Sequence, residues 1–375
     1  MKKVLFVQTN YPKFLEEFRR KIGDKKLSYR QMRKEWAKEW FGQSDFYGRH
    51  LKPLGWQTEE VITNDWGLQS QWAKENGVRV EREESRWTKK LPESIKYLLG
   101  TRGWIKKILF AQIKAFKPDV VYVHDMSLLN SDDIKKIKRM GILIVGQIAC
   151  PLPLDQKPLY GFDLIISSFP HYVKLFREMG IKSEYLRWCF EASIAKELGR
   201  RQKKYDIVFV GGYSPHHGQG SKVLEQLAKK IQVDFWGYGE QSLSPTSPIR
   251  QNFHGQAWGR EMYKIFGEAK IVVNRHINVA GNVANNMRMF DVTGMGTLLI
   301  TDSKPNMGEF FEVGKEVVTY KNGDDLVKKV KYYLDRPNER VAIAKAGQKR
   351  TLGDHSYAVR MRELDAILRA YLARR

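Results

Sequence analysis

Cysteine is almost missing from this sequence. Only Cys150 and Cys189 occur, far apart and without a CxxC or Cys/His cluster beside either. That argues against a disulfide framework and against a zinc site, and it fits a reducing cytoplasm. Long apolar runs are missing as well. No stretch approaches the about 20 residues that span a bilayer. The amino terminus opens Met-Lys-Lys like a secretory signal, but its apolar run stops at Gln8, so it reads as a first strand. There is no internal repeat, no low-complexity tract and no GK[ST] phosphate loop. Signatures of helix-turn-helix, RNA-recognition or finger domains are absent too, so no nucleic acid is expected as partner. Acidic residues are in short supply: 42 Asp+Glu face 65 Lys+Arg, for a net charge of +23. A field of that sign attracts nucleic acid, anionic headgroups or phosphorylated small molecules, and does not choose among them.

The chain of 375 residues is long enough for two domains, and 42% hydrophobic residues is a globular composition. Short apolar runs alternate with helical patterns. Lys3–Gln8, Glu60–Thr63, Val78–Val80, Asp119–His124, Gly141–Ala149 and Phe162–Phe169 read as strands, with helices at Asp45–Leu54, Trp104–Phe116 and Tyr172–Gly180. Such alternation implies parallel sheet built from βαβ units. The pattern restarts after a basic, linker-like stretch at Ala195–Lys204. Strand Tyr205–Val210 is followed by helix Ser221–Lys230, strand Val233–Gly237, helix Gly259–Glu268, strand Lys270–Asn274, helix Asn285–Thr293 and strand Thr297–Thr301. A helical tail, Asp324–Arg375, carries one break near Pro337. The predicted fold class is therefore α/β, with two Rossmann-like domains in tandem whose parallel sheets face a central cleft. The first spans 1–198, the second 199–352, and a last helix, 353–375, packs back on the first.

One segment departs from the rhythm. Arg19–Phe41 holds nine basic residues against three acids, and Tyr29, Trp36 and Trp40 share one helical face. It reads as a basic, aromatic, amphipathic insertion. Peripheral contact with an anionic membrane is one use for it; cradling an anionic acceptor is another, and a solvated helical face a third.

Two constellations suit an anionic ligand. Strand Tyr205–Val210 ends in Gly211 and Gly212, followed by a polar loop with His216 and His217 and then a helix. Glycines let the backbone approach a phosphate, and a helix start offers unpaired N–H groups; an ordinary glycine-rich turn is the plainer reading. Farther on, Asn285 or Asn286 suits a helix N-cap. Arg288 then falls in the first turn, where the dipole disfavours a cation unless an anion neutralises it. Asp291 lies one turn on, placed to accept from ribose hydroxyls; the alternative is a surface pair with Arg288. Trp258 could stack on a base or simply pack. Arg275 and His276 close strand Lys270–Asn274, where a cation assists a leaving phosphate. His124 and Asp125 close another strand, as a general base on an acceptor hydroxyl or as a helix-capping pair.

The segment Asn286–Asp302 (Asn-Met-Arg-Met-Phe-Asp-Val-Thr-Gly-Met-Gly-Thr-Leu-Leu-Ile-Thr-Asp) resembles the R-[VM]-F-E-A-x-x-x-G-x-x-L-[IL]-T-[DE] signature of family-1-like glycosyltransferases, especially the CgeB-like group. The resemblance runs through Glu309–Tyr320 and His355 to Arg360, and covers about 205–370. Before that it is architectural only. It implies the GT-B fold, a nucleoside-diphosphate-sugar donor as co-substrate, no cofactor and no metal. It matches Asp291 to the acid that grips the donor ribose, Arg288 to an arginine beside the phosphates, and Gly211 and Gly212 to the turn beneath the diphosphate. The sequence departs from the wider retaining group at Val283, where that group has an acid, at Gly212, where it has an arginine, and at His217, where it has a lysine. The expected activity is transfer of a sugar to a glycan, lipid-linked or protein acceptor, in the cytoplasm or at the inner membrane face, as in bacterial cell-surface or glycoconjugate biosynthesis. A nucleotide-sugar epimerase of the same fold and a basic nucleic-acid-binding protein are the alternatives.

Overall fold

The computed structural model describes residues 1–81, 103–153, 155–213 and 218–374. The chain divides into two compact units, Met1–Tyr185 together with Asp365–Arg375, and Leu186–Leu364. The division therefore falls before helix Ala192–Leu198, and not in the basic stretch that follows it.

The first unit holds six strands: β1 (Lys2–Gln8), β2 (Trp56–Ile62), β3 (Val120–Val123), β4 (Leu143–Ile148), β5 (Leu164–Ser167) and β6 (Ser183–Tyr185). They run in the order β2-β1-β3-β4-β5-β6, every pair parallel. Val4 through Val7 and Val120 through Val123 are all fully buried. A strand buried without alternation is one whose sheet is covered on both faces. The order reverses between β1 and β3, whose carboxyl ends meet where the His124 N–H donates to the Val7 carbonyl.

Three expectations change. Val78–Val80 forms no strand. Helix Trp66–Glu75 ends there, Gly77 takes φ +67°, and the Val78 N–H closes on the Ala73 carbonyl, so that amide is spent on the helix end. The basic segment is two helices, Pro12–Ile22 and Tyr29–Ala37, the second opened by a Ser28/Gln31 capping box. Its aromatic face is not a surface: Tyr29, Trp36 and Trp40 are buried, with Trp36 edge-on to Phe14 and Phe18 at 5.0 and 4.8 Å. With those rings buried in the unit's own core, the exposed residues of the segment include bases such as Arg20, Lys25 and Arg30. Finally, the tail breaks twice, into helices Gly323–Leu334, Pro337–Asp354 and Tyr357–Ala373. At the second break the backbone of His355 and Tyr357 bonds to both sides of Phe190, which takes those groups out of the helix ladder. Beyond it, Asp365 accepts from the Trp56 indole, Arg369 donates to the Leu54 carbonyl and Tyr371 to Glu184.

The second unit holds β7 (Tyr205–Gly212), β8 (Asp234–Tyr238), β9 (Ala269–Asn274), β10 (Leu298–Asp302) and β11 (Val318–Tyr320), in the parallel order β11-β10-β9-β7-β8. Its core gathers Ile207, Phe209, Phe235, Ile271, Val273 and Ile300 beneath the flanking helices. Here the order reverses between β7 and β9. In such sheets a ligand sits in the crevice at the carboxyl ends, at the reversal. Among the described residues no helix is long and apolar enough to cross a membrane.

Candidate active site

The carboxyl ends of β7 and β9 bring the sequence candidates together in the second unit. Gly211 and Gly212 finish β7. A Cβ at 212 would stand 2.9 Å from the Tyr238 ring, and one at 211 would stand 2.7 Å from Phe209. A side chain at either position would have to push a ring aside, and the bare backbone suits a phosphate. Arg275, at the end of β9, is buried and donates to the Gly212 carbonyl at 2.8 Å, with its guanidinium 5.4 Å from the Phe209 ring centre. Burial lowers its pKa, an effect opposed by the hydroxyls of Tyr213 and Tyr320 and the charge of Asp302. A desolvated guanidinium at a sheet's reversal gains most from an anion.

Asn286 is the N-cap of helix Met287–Gly294. Its side chain accepts from the Met289 N–H at 3.2 Å and donates to Asn274 Oδ1 and the Arg275 carbonyl at 3.0 and 3.2 Å. The N-cap thereby ties the helix start to the end of β9, beside Arg275. Asn285 is buried next to it, while Asn286 and Arg288 stay partly exposed.

Arg288 and Asp291 are paired, as the plainer reading had it, but not on the surface. Asp291 is 3% exposed. It lies 3.4 Å from Arg288 and accepts from the Tyr263 hydroxyl at 3.3 Å. Arg288 turns toward helix Gly259–Glu268, with its guanidinium 4.9 Å from the Phe266 ring and a nitrogen at the Met262 sulfur. Burial lifts the Asp291 carboxyl to about 6, with Arg288 and the Tyr263 bond pulling the other way. Arg275, and not Arg288, is thus the arginine held at the glycine turn.

His276 is enclosed: its Nδ1 bonds Asp302 at 2.7 Å and its N–H donates to the same oxygen at 3.0 Å. Burial pushes Asp302 up, but the His276 bond and the charges of His276 and Lys304 outweigh it and hold the carboxyl below its usual range. Trp258 stacks on Tyr238, centroids 5.8 Å apart and 16° from parallel, and its indole donates to Gln256. That is packing, on the β8 side of the glycine turn. His217 and its neighbour His216 lie outside the described residues. Sequence reasoning singled out neither Tyr238 nor Asp302 as a site residue; both end strands of this sheet, and the carboxyl-end rule alone would have flagged them.

His124 and Asp125 stand in the first unit, at its own reversal. Asp125 accepts from the Thr9 hydroxyl and from both the N–H and hydroxyl of Ser127, capping the turn Met126–Leu128. His124 packs against Phe6, Tyr47 and Tyr122. Burial lowers it to about 3, with a Gln147 bond opposing. An imidazole so weakly basic is poorly matched to proton abstraction near neutrality. Among the described residues no group of three or more His, Cys, Asp or Glu could hold a metal ion.

Residues 218–366 match the family model described as glycosyl transferase-like. That model does not single out the CgeB-like group. No curated protein sequence matches the chain significantly. Solved structures do match it over the full length. A sucrose-phosphate synthase from Thermosynechococcus elongatus is similar at TM-score 0.64 and 10% identity, covering 100% of both chains. HepE of Anabaena, in complex with UDP-glucose, is similar at 0.61 and 12%, covering 99% of this chain and 100% of its own. AviGT4, a glycosyltransferase involved in avilamycin A biosynthesis, is similar at 0.58 and 12%, covering 100% and 99%. These likenesses show the GT-B fold. The family match covers most of the second unit.

Proposed function

We propose that the protein transfers a sugar from a uridine-diphosphate sugar to a hydroxyl of a glycan, lipid-linked or protein acceptor, without a metal ion. The observation that carries this is the stitching of Gly212, Arg275 and Asn286 at the reversal of the second sheet. It sets a desolvated cation beside a capped helix start, a pairing suited to a diphosphate. The anomeric C–O bond breaks with its electron pair going to the diphosphate. There Arg275 and the helix N–H groups meet charge as it develops, where preorganised donors act most strongly. The acceptor oxygen bonds the anomeric carbon, and its proton passes to an oxygen of the departing diphosphate. Asp291 serves the ribose: its carboxyl, held near its titration point by burial, gains from hydroxyl donors that favour its ionised form. The likeness to HepE bound to UDP-glucose supports the uridine nucleotide.

A thermal-shift panel of UDP, GDP, dTDP, ADP and CMP with their sugars tests this. At a hundredfold its dissociation constant the right ligand stabilises by roughly 2.7 kcal/mol. UDP and one UDP-sugar are expected to shift the wild type, and to shift Arg275→Ala clearly less. No shift with any nucleotide, or an equal shift in that variant, refutes the assignment.

A further inference from the structure

A cluster of cations gathers at a second place in the same unit. A cavity of about 820 Å³ opens between helix Ala192–Leu198, the loop after it and helix Pro337–Asp354. It touches Lys203 just before β7, Lys270 as the second residue of β9 and Leu298 at the start of β10. It therefore lies at the amino edge of the sheet, opposite Gly212, Arg275 and Asp302.

Its lining includes seven cations and no carboxylate. Two of them have acid partners outside the lining: Arg201 bonds Glu268, and Lys270 meets Asp206 at 2.5 Å. The other five are Lys196, Arg200, Lys203, Arg340 and Lys345. Lys196, Arg200 and Lys345 are exposed and form no ion pair among the described residues. Arg340 is 9% exposed and spends one nitrogen on the carbonyls of Tyr333 and Leu334, at 2.6 and 3.1 Å. Lys203 remains exposed as a residue, but its ammonium is held by the Gly267 carbonyl at 2.9 Å and the Thr297 hydroxyl at 3.1 Å. Burial, then the charges of Arg340 and Arg200, bring that ammonium down to about 8. Like charges gathered without counter-charge repel, and an anion relieves them.

We propose that this cavity is a binding site for a phosphate-bearing polyanion, separate from the donor site. Four cations without an acid partner among the described residues, and Arg340, which feels an Asp206 already paired with Lys270, call for several negative charges, which one carboxylate cannot supply. The forked guanidinium groups of Arg200 and Arg340 match phosphate oxygens in pairs. The cavity has the size of a small-molecule site, so the occupant is an oligophosphate or the phosphorylated headgroup of a lipid. The inference does not depend on the donor assignment, because it uses none of those residues.

The test is calorimetric titration of the full chain with inorganic tripolyphosphate at 150 mM salt. Four proteins are compared: wild type, Arg200→Gln/Lys345→Gln, Arg275→Ala, and a charge-matched control, Lys328→Gln/Lys331→Gln. All four substituted residues of the two double variants are exposed, so both are expected to fold. A site in the cavity loses roughly tenfold or more in affinity in the first variant and keeps its affinity in the other two. Vesicles of phosphatidylglycerol, run against the same proteins, name the source: binding to them with the same pattern assigns a lipid headgroup, and binding to tripolyphosphate alone assigns a soluble oligophosphate. Loss in Arg275→Ala with retention in Arg200→Gln/Lys345→Gln places the anion at the carboxyl edge and overturns the proposal. So does equal loss in the control, which marks a diffuse field, or no binding of either probe.

Discussion

Replacing Asp291 by asparagine should make the protein more stable at neutral pH and less active. The buried carboxyl titrates at about 6 instead of its ordinary 3.8, because burial penalises its charge more than Arg288 and Tyr263 reward it. The folded state therefore holds the proton more tightly than the unfolded chain. Stability from that proton is fully present below pH 4 and is lost as pH rises through 6. At pH 7 the gap of about two units corresponds to roughly 3 kcal/mol of unrelieved cost. Asparagine keeps the shape, carries no charge at any pH and still accepts from Tyr263. Allowing for the weakened Arg288 contact, the variant should gain about 1–3 kcal/mol at pH 7, or about 2–8 °C in a unit of this size. The gain should shrink steadily on acidification and vanish near pH 4. Paired melts of both proteins from pH 4 to 8 read this directly. A difference that does not change with pH, or a variant less stable at pH 7 than at pH 5 relative to wild type, refutes the reasoning. Nucleotide affinity should fall in the same variant, since an amide replaces the carboxylate's two charged accepting oxygens by one neutral one.

Other expectations are simpler. Arg275→Ala should lower UDP affinity by about 1.5–3 kcal/mol, the scale of a charged hydrogen bond, while Arg275→Lys restores part of it in the same calorimetric assay. Gly237→Ala should cost more than about 3 kcal/mol in a denaturant melt, because Gly237 has φ +143° and an added Cβ would stand 1.7 Å from the Gly211 carbonyl oxygen. Trp36→Ala should cost about 3–5 kcal/mol as a core truncation and leave vesicle binding of the surviving folded fraction unchanged; an unchanged melt with lost vesicle binding would restore Trp36 to the surface.

The elements most legible in the sequence were those whose pattern is strictly local. Helix Gly259–Glu268 was read with the bounds the structure gives it, and the restart at Tyr205 marks β7. Three-residue strands such as β6 and β11 escaped because they carry too few residues to show a period; their pairing partners make them strands. The basic segment misled for a related reason. A helical face of tryptophans looks the same in sequence whether a membrane or the protein's own Phe14 and Phe18 lies against it. At the site, the strand-end rule found Arg275 and His276, and the capping rule found Asn286. The direction of Arg288 was not readable, because it is set by Phe266 and Met262 on a helix more than twenty residues earlier.

The eleven residues from Asp365 onward complete the first unit, and one of their bonds, Trp56 to Asp365, closes a separation of 309 residues. The amino-terminal unit is thus the last to receive all its parts. On the ribosome, Leu186–Leu364 is continuous and has every strand of its sheet before Asp365–Arg375 is made, whereas the earlier-made unit must wait for that helix. A chain cut short at residue 364 would lose its finish at the opposite end from the cut: the exposed flank of Trp56, and not the neighbourhood of the new terminus, is where proteolysis should begin.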